Sequence, residues 1–166
     1  MTSFAAGAAS LCRERIDRRD LRPDDVAIDV TYCGVCHSDL HAVRGGGPFP
    51  LVPGHEFTGV VTATGADVTR FRAGDAVAVG NIVDSCGACP MCTAGQENYC
   101  ERAAELGIAP PGLGAPGAMA DQMLVDDVRH LVPIGDLDPV AAAPLTDAGL
   151  TPYHAIKRSL PKLGAG

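Results

Sequence analysis

Cys33-Gly34-Val35-Cys36-His37-Ser38-Asp39-Leu40-His41, followed a short way on by Gly54-His55-Glu56, is the stretch on which the reading of this chain turns. A thiol, an imidazole and several acid–base groups stand close together there, separated by a Gly45-Gly46-Gly47-Pro48 turn. Sulfur beside imidazole nitrogen suits zinc, and a catalytic zinc takes three protein ligands and keeps a fourth position open. Cys36 and His55 are read as two of the three ligands. The third must come from elsewhere in the chain.

Working outward, Val26, Ile28, Val30 and Tyr32 alternate with Ala27, Asp29 and Thr31, a period of two that predicts a half-buried strand leading into Cys36. Residues 38–44 have a capping-type start and good helix formers, so a helix is expected there. Residues 57–64 and 75–79 predict strands set off by turns at Gly65-Ala66-Asp67 and Ala73-Gly74. Residues 119–125 and 128–134 predict two more, and 136–145 and 151–160 predict helices, the second broken at Pro161. Leu11, Arg13, Arg15 and Asp17 give a weaker alternation. Short strands with frequent turns predict a mainly β fold, a barrel or partial barrel with short helices at its edge.

Bulk properties narrow the function. The 166 residues suffice for one domain with a genuine core, and 20 Gly, 13 Pro and no Trp suit a turn-rich β fold. A net charge of −7 argues against nucleic acid or an anionic membrane surface as partner. No apolar run reaches the ~18–20 residues of a membrane span. The small, apolar 4–12 stretch has no basic segment before it, so a secretory signal is not expected and a cytoplasmic setting is. Seven cysteines then read as metal ligands rather than disulfides.

Four of them carry the strongest motif. Cys86, Cys89, Cys92 and Cys100 give C-x2-C-x2-C-x7-C, with Gly87, Pro90 and Gly95 allowing the turns between them. Four thiolates fill a tetrahedral zinc and leave no open position, so this metal would be structural. The iron–sulfur alternative fits less well: bacterial ferredoxins use C-x2-C-x2-C-x3-C-P, and here the last gap is seven and the proline follows the second cysteine.

With both clusters in view, the chain resembles the medium-chain, zinc-dependent alcohol dehydrogenases from about residue 26 onward. The resemblance rests on Gly34-Val35-Cys36-His37-Ser38-Asp39, on Gly54-His55-Glu56, on Arg72-Ala73-Gly74-Asp75-Ala76-Val77, on the four-cysteine lobe, and on 144–153. The first half is most similar to the cinnamyl-alcohol-dehydrogenase-like branch and the part after Leu106 to secondary-alcohol dehydrogenases. It implies a GroES-like partial β-barrel catalytic domain over 1–166, truncated, with a protruding zinc lobe at 84–102 and a helix at 150–166 leading toward a missing Rossmann domain. It implies two Zn²⁺ per chain. Cys36, His55 and Asp147 would hold the catalytic one and Cys86, Cys89, Cys92 and Cys100 the structural one.

Asp147 stands where most members carry cysteine, and carboxylate oxygen is a sound zinc donor; the plainer reading is a helix N-terminal residue. Glu56 would lie beneath the metal as a transient ligand, or else be a strand-edge carboxylate. Asp39 would accept a hydrogen bond from the metal-bound imidazole, the usual way of fixing its tautomer, or else cap the helix. Ser38 would take the alcohol proton and His41 pass it to solvent. His37 would lie near the pyrophosphate of NAD or NADP, or else be a surface histidine. Cys33, His130 and His154 are expected to be structural, and a redox role for Cys33 with Cys36 is rejected for want of a thioredoxin-like βαβ unit.

The implied partner is a small-molecule alcohol or its carbonyl counterpart, and the resemblance leaves room for a homo-oligomer in the full-length enzyme. Departures matter too. The one match to G-x-G-x-x-G, at Gly112, Gly114 and Gly117, follows Pro110-Pro111 and is interrupted by Pro116, so it reads as a loop and not as a dinucleotide site. The 166 residues alone are therefore expected to be inactive. The alternative from another class is a non-catalytic zinc-binding module that retains the ligands.

Overall fold

The computed structural model describes residues 2–6, 11–44, 51–107 and 116–160. The turn at Gly45–Pro48, Gly112 and Gly114 of the glycine-rich loop, and the helix break at Pro161 lie outside the described residues.

β1 (Thr2–Ala6) and β2 (Leu11–Arg15) pair as an antiparallel hairpin. The main sheet is antiparallel and has five strands: β3 (Val26–Cys33), β4 (Phe57–Thr64), β5 (Ala76–Val79), β8 (Gln122–Val125) and β9 (Leu131–Pro133), in the order β8-β3-β4-β5-β9. A second small ribbon, β6 (Ile82–Asp84) with β7 (Ala104–Glu105), closes the base of the cysteine lobe. The helices are short: α1 (His37–Arg44), α2 (Pro90–Thr93), α3 (Pro139–Ala142) and α4 (Leu150–Ser159).

The period-two pattern holds over the first half of β3 and breaks at an irregularity between Val30 and Tyr32, which leaves Tyr32 exposed. Val26 and Ile28 from β3, Phe57 and Val61 from β4, Val77 and Val79 from β5, and Met123 and Val125 from β8 fill one core. Each fully buried side chain of this size is worth ~1.5–3 kcal/mol over leaving it in water. The register then sets up the site. β3 and β4 pair so that Cys33 faces Phe57, and the Gly34 amide donates to the Glu56 carbonyl at 2.8 Å. The segments beyond those residues, Gly34–Cys36 and His55–Glu56, therefore leave the sheet side by side.

Three boundaries differ from the sequence reading. The 119–125 strand begins only at Gln122, because the amides of Ala118 and Met119 donate to Gly54 and Pro53 carbonyls. In 128–134 the first residues form a 3-10 turn, Val128–His130. Asp127 accepts the Arg129 amide at 2.9 Å and pulls the chain out of extension. The single helix expected over 136–145 is instead α3 followed by a 3-10 turn, Ala143–Thr146. Pro144 has no N–H to continue the α-helical ladder.

Candidate metal centres

The first centre grows out of the β3–β4 junction. α1 starts at His37, with Cys36 just before it, and Asp39 at the third helical position reaches back to the Cys36 amide at 2.9 Å. That is half of a capping box. The other oxygen of the same carboxylate accepts from the Gly54 amide at 2.8 Å and lies 3.3 Å from His55 Nδ1. The Nδ1 contact has the distance but not the alignment of a hydrogen bond. Asp39 thus caps the start of the helix and, 2% exposed, ties the Cys36 loop to the His55 loop.

On the other side of the imidazole, His55 Nε2 lies 3.2 Å from Asp147 Oδ2. Donor atoms of Cys36, His55 and Glu56 lie within 4.8 Å of one another. Asp147 joins this group through His55, coming from the far end of the described chain. Glu56 is 2% exposed and its Oε2 has no hydrogen-bond partner. A buried, unpartnered carboxylate oxygen is costly unless a cation meets it.

The electrostatics tell the same story. Contact with Asp39 raises His55, burial opposes, and Cys36 and Asp147 add to the rise, to about 9. The Ser38 amide lowers the Cys36 thiol, against burial, with His55 helping. Burial, then the Asp147 charge, raises Glu56. Positive charge is therefore favoured at the His55 ring, which lies between the Asp39 and Asp147 carboxylates. Thiolate, imidazole and carboxylate converging in a buried, cation-seeking spot fit a zinc ion in donor type and charge.

The proton-relay residues are arranged more loosely. Ser38 Oγ is 3.7 Å from Cys36 Sγ, beside the candidate ligand. His37 and His41 are both exposed, their rings 4.7 Å apart in an edge-to-face contact one helical turn from each other. Cys33 packs against the core as expected, and burial pushes its thiol up to about 12.

The second centre is local. Cys86, Cys89, Cys92 and Cys100 sulfurs lie within 4.8 Å of one another. Cys89 caps α2, and the amides of Cys86, Cys89, Cys92 and Arg102 point at the sulfurs of Cys100, Cys86, Cys89 and Cys100 at 3.3–3.5 Å. The Ala88 amide, then the Arg102 guanidinium, lowers the Cys86 thiol. Gly87 adopts φ +67°, the left-handed turn that aims the first two sulfurs at the same point. Backbone donors at three of the four sulfurs favour thiolates there, as a closed zinc site requires, whereas burial and the neighbouring Cys89 and Cys100 push the Cys92 thiol up to about 11.

Sequence reasoning missed the cavity beside the first centre. About 740 Å³ in volume, it is lined by Ile82, Tyr99, Val132, Leu145 and Asp147, among others. His130 and His154, expected to be structural, also line it. So does Asn81, whose buried Oδ1 has no hydrogen-bond partner. No motif marks these positions, since the cysteine lobe, β9 and the segment after α3 meet only in the fold.

A family model described as the alcohol dehydrogenase GroES-like domain matches residues 22–136. The chain is 43% identical over 166 residues to "NADP-dependent alcohol dehydrogenase C" of Mycobacterium tuberculosis, covering 95% of this chain and 48% of that protein. It is 47% identical over 141 residues to "Probable cinnamyl alcohol dehydrogenase 8A" of Oryza sativa subsp. japonica, covering 82% and 39%. Among solved structures it is similar to a cinnamyl alcohol dehydrogenase of Sorghum bicolor, with TM-score 0.87 and 38% identity over 96% of this chain and 48% of that one. The chain spans half or less of the length of these relatives.

Proposed function

Because the chain belongs to the alcohol dehydrogenase GroES-like domain family, we propose that it is the zinc-binding catalytic part of an alcohol dehydrogenase. Its substrate would be a small alcohol, or the matching aldehyde or ketone, and its hydride partner NAD or NADP. The name of the mycobacterial relative favours NADP. One observation carries the reading. Cys36, His55, Glu56 and Asp147, scattered along the chain, converge on a buried spot with an unpartnered carboxylate oxygen, at the wall of a cavity.

Cys36, His55 and Asp147 would hold the ion, with Glu56 as a fourth, exchangeable donor. A thiolate and a carboxylate balance the charge of Zn²⁺, leaving a corner for substrate. When bound, zinc supplies the Lewis acidity that lets an alcohol lose its proton near neutral pH, and the nicotinamide supplies the hydride acceptor. Asp39 holds the His55 ring in place. Ser38, beside Cys36 Sγ, takes the hydroxyl proton, and the exposed His41 hands it to water. The cavity, of a size suited to small organic ligands, admits substrate past Tyr99 and Leu145. His37, exposed at the start of α1, would lie near the phosphates of the nicotinamide cofactor.

The test is metal stoichiometry by elemental analysis on the 166-residue chain. Two zincs per chain are expected; one, or none at the Cys36–His55 site, overturns the reading. Alcohol-dependent NADPH formation by this chain alone is expected to be negligible, and substantial turnover would show that a hydride acceptor binds within it.

A further inference from the structure

The first centre is assembled from two pieces of the molecule. Cys36, His55 and Glu56 ride on the β3–α1 and β4 segments, whereas Asp147 rides on the arm formed by α3, the 3-10 turn and α4. α4 has no buried residue, so it does not anchor the arm from its far end. The anchorage lies on the near side, in three contacts.

Thr58, two residues beyond Glu56 on β4 and 0% exposed, donates Oγ1 to the Pro139 carbonyl at 3.0 Å across 81 positions of sequence. That carbonyl already accepts the Ala143 amide within the helix, so the hydroxyl adds a tether without breaking the helix. Ala78, Ile134 and Ala142 form a small apolar cluster beside it. Gly80 is the third. It follows β5 directly, and a Cβ there would stand 2.6 Å from the backbone oxygen of Thr146, the residue before Asp147. Gly80 is not among the glycines in the left-handed region, so space, not backbone conformation, demands glycine at this position.

We propose that Gly80 and Thr58 are positioning residues for Asp147: the bare backbone at 80 lets the Thr146–Asp147 segment settle against β5, and the Thr58 hydroxyl fixes the start of the same arm to the strand that follows His55 and Glu56. The inference rests on Asp147 being a ligand. A zinc–oxygen bond is ~2.0–2.2 Å long, and a constellation of this kind tolerates errors of ~0.5 Å. Ordinary contact begins at 3.4 Å, so a methyl at 80 drives the Thr146 carbonyl back by most of an ångström. That exceeds the tolerance.

The experiment loads the 166-residue chain and the variants Gly80→Ala, Thr58→Val, Thr58→Ser and Asp147→Ala with zinc and, separately, cobalt. It reads metal per chain, affinity by chelator competition, and the cobalt absorption bands. Asp147→Ala loses the metal of the first centre. Gly80→Ala weakens it ~10–100-fold, the range typical of lost outer support for a ligand, and shifts the cobalt bands even at saturation. A merely structural role would move stability and leave the bands alone. Thr58→Val weakens binding by less, and Thr58→Ser, which keeps the hydroxyl, binds as the parent does. The four-cysteine lobe keeps its metal throughout, and circular dichroism with denaturant unfolding reports that the chain is folded.

If Asp147→Ala loses the metal while Gly80→Ala binds like the parent with unchanged bands, the positioning proposal is wrong and the ligand assignment survives. If Asp147→Ala keeps both metals, the ligand assignment itself fails. Should Gly80→Ala misfold, the Thr58 pair decides, and equal affinities for Val and Ser overturn the proposal.

Discussion

The two candidate metal centres solve the same problem at opposite ranges. In the lobe the first and last sulfurs are fourteen positions apart, and turns with backbone amides bring all four together. At the first centre, the imidazole of His55 meets Cys36, Glu56 and Asp147, contributed by three segments whose relative placement depends on the whole sheet. A local site is a property of a short peptide. A distributed site is a property of the fold, and it inherits every weakness of the core beneath it. The contrast also matches the chemistry: a closed tetrahedron of sulfurs has nothing to do but hold, whereas an open site needs groups of differing character placed around a vacant corner.

The sharpest way to break this comparison is to remove one lobe sulfur. Cys92→Ala should empty the lobe, since a structural zinc contributes ~10–16 kcal/mol of apparent binding energy that a missing thiolate largely forfeits. Zinc analysis should then find only the first-centre metal, and loss of both would show that the centres are not independent.

Next in size is Phe57→Ala. Phe57 is fully buried at the head of β4, next to Glu56, and its truncation should cost ~3–5 kcal/mol in denaturant unfolding. Metal should weaken at the first centre while the lobe retains its own; equal weakening at both would erase the distinction between local and distributed sites.

Glu56→Gln should give a smaller effect of unusual sign. Burial and Asp147 hold the Glu56 carboxyl above its ordinary range. Its ionisation therefore opposes folding once the pH rises past that range, and has no effect where the carboxyl is protonated in both states. Metal-free Glu56→Gln should be more stable than the parent at neutral pH, with the gap closing on acidification. Thermal melts of the chelator-treated proteins across pH measure it.

Smallest is Asp25→Asn. Burial works against the Asp25 charge, yet the Arg19 guanidinium and the Arg22 amide outweigh it and hold the carboxyl below its usual value; Arg19 also pairs with Asp126. The stability this gives is present above about pH 4 and is lost as the pH falls through the lowered value. The variant should be modestly less stable at neutral pH, should converge with the parent in acid, and should bind both metals unchanged.

Much of this was legible in the residues. The alternation at 26–32 gave β3, Cys33-Gly34-Val35-Cys36 and Gly54-His55-Glu56 marked the first centre, and C-x2-C-x2-C-x7-C described the lobe almost completely. The 3-10 turns at 128–130 and 143–146 were not legible, because one hydrogen bond from the Arg129 amide to Asp127 and one missing N–H at Pro144 overrode the pattern. Nor was the double service of Asp39, whose two oxygens accept from the amides of Cys36 and Gly54.

The sequence by itself determined which atoms could bind metal and where the chain would be extended, since donor chemistry and a two-residue period are carried by the residues themselves. Only the tertiary structure decided that Asp147 would meet His55, that a cavity would open beside them, and that position 80 had to be bare. Those facts depend on distances between segments far apart in sequence, and such distances are set by how the sheet packs, on which no local pattern reports.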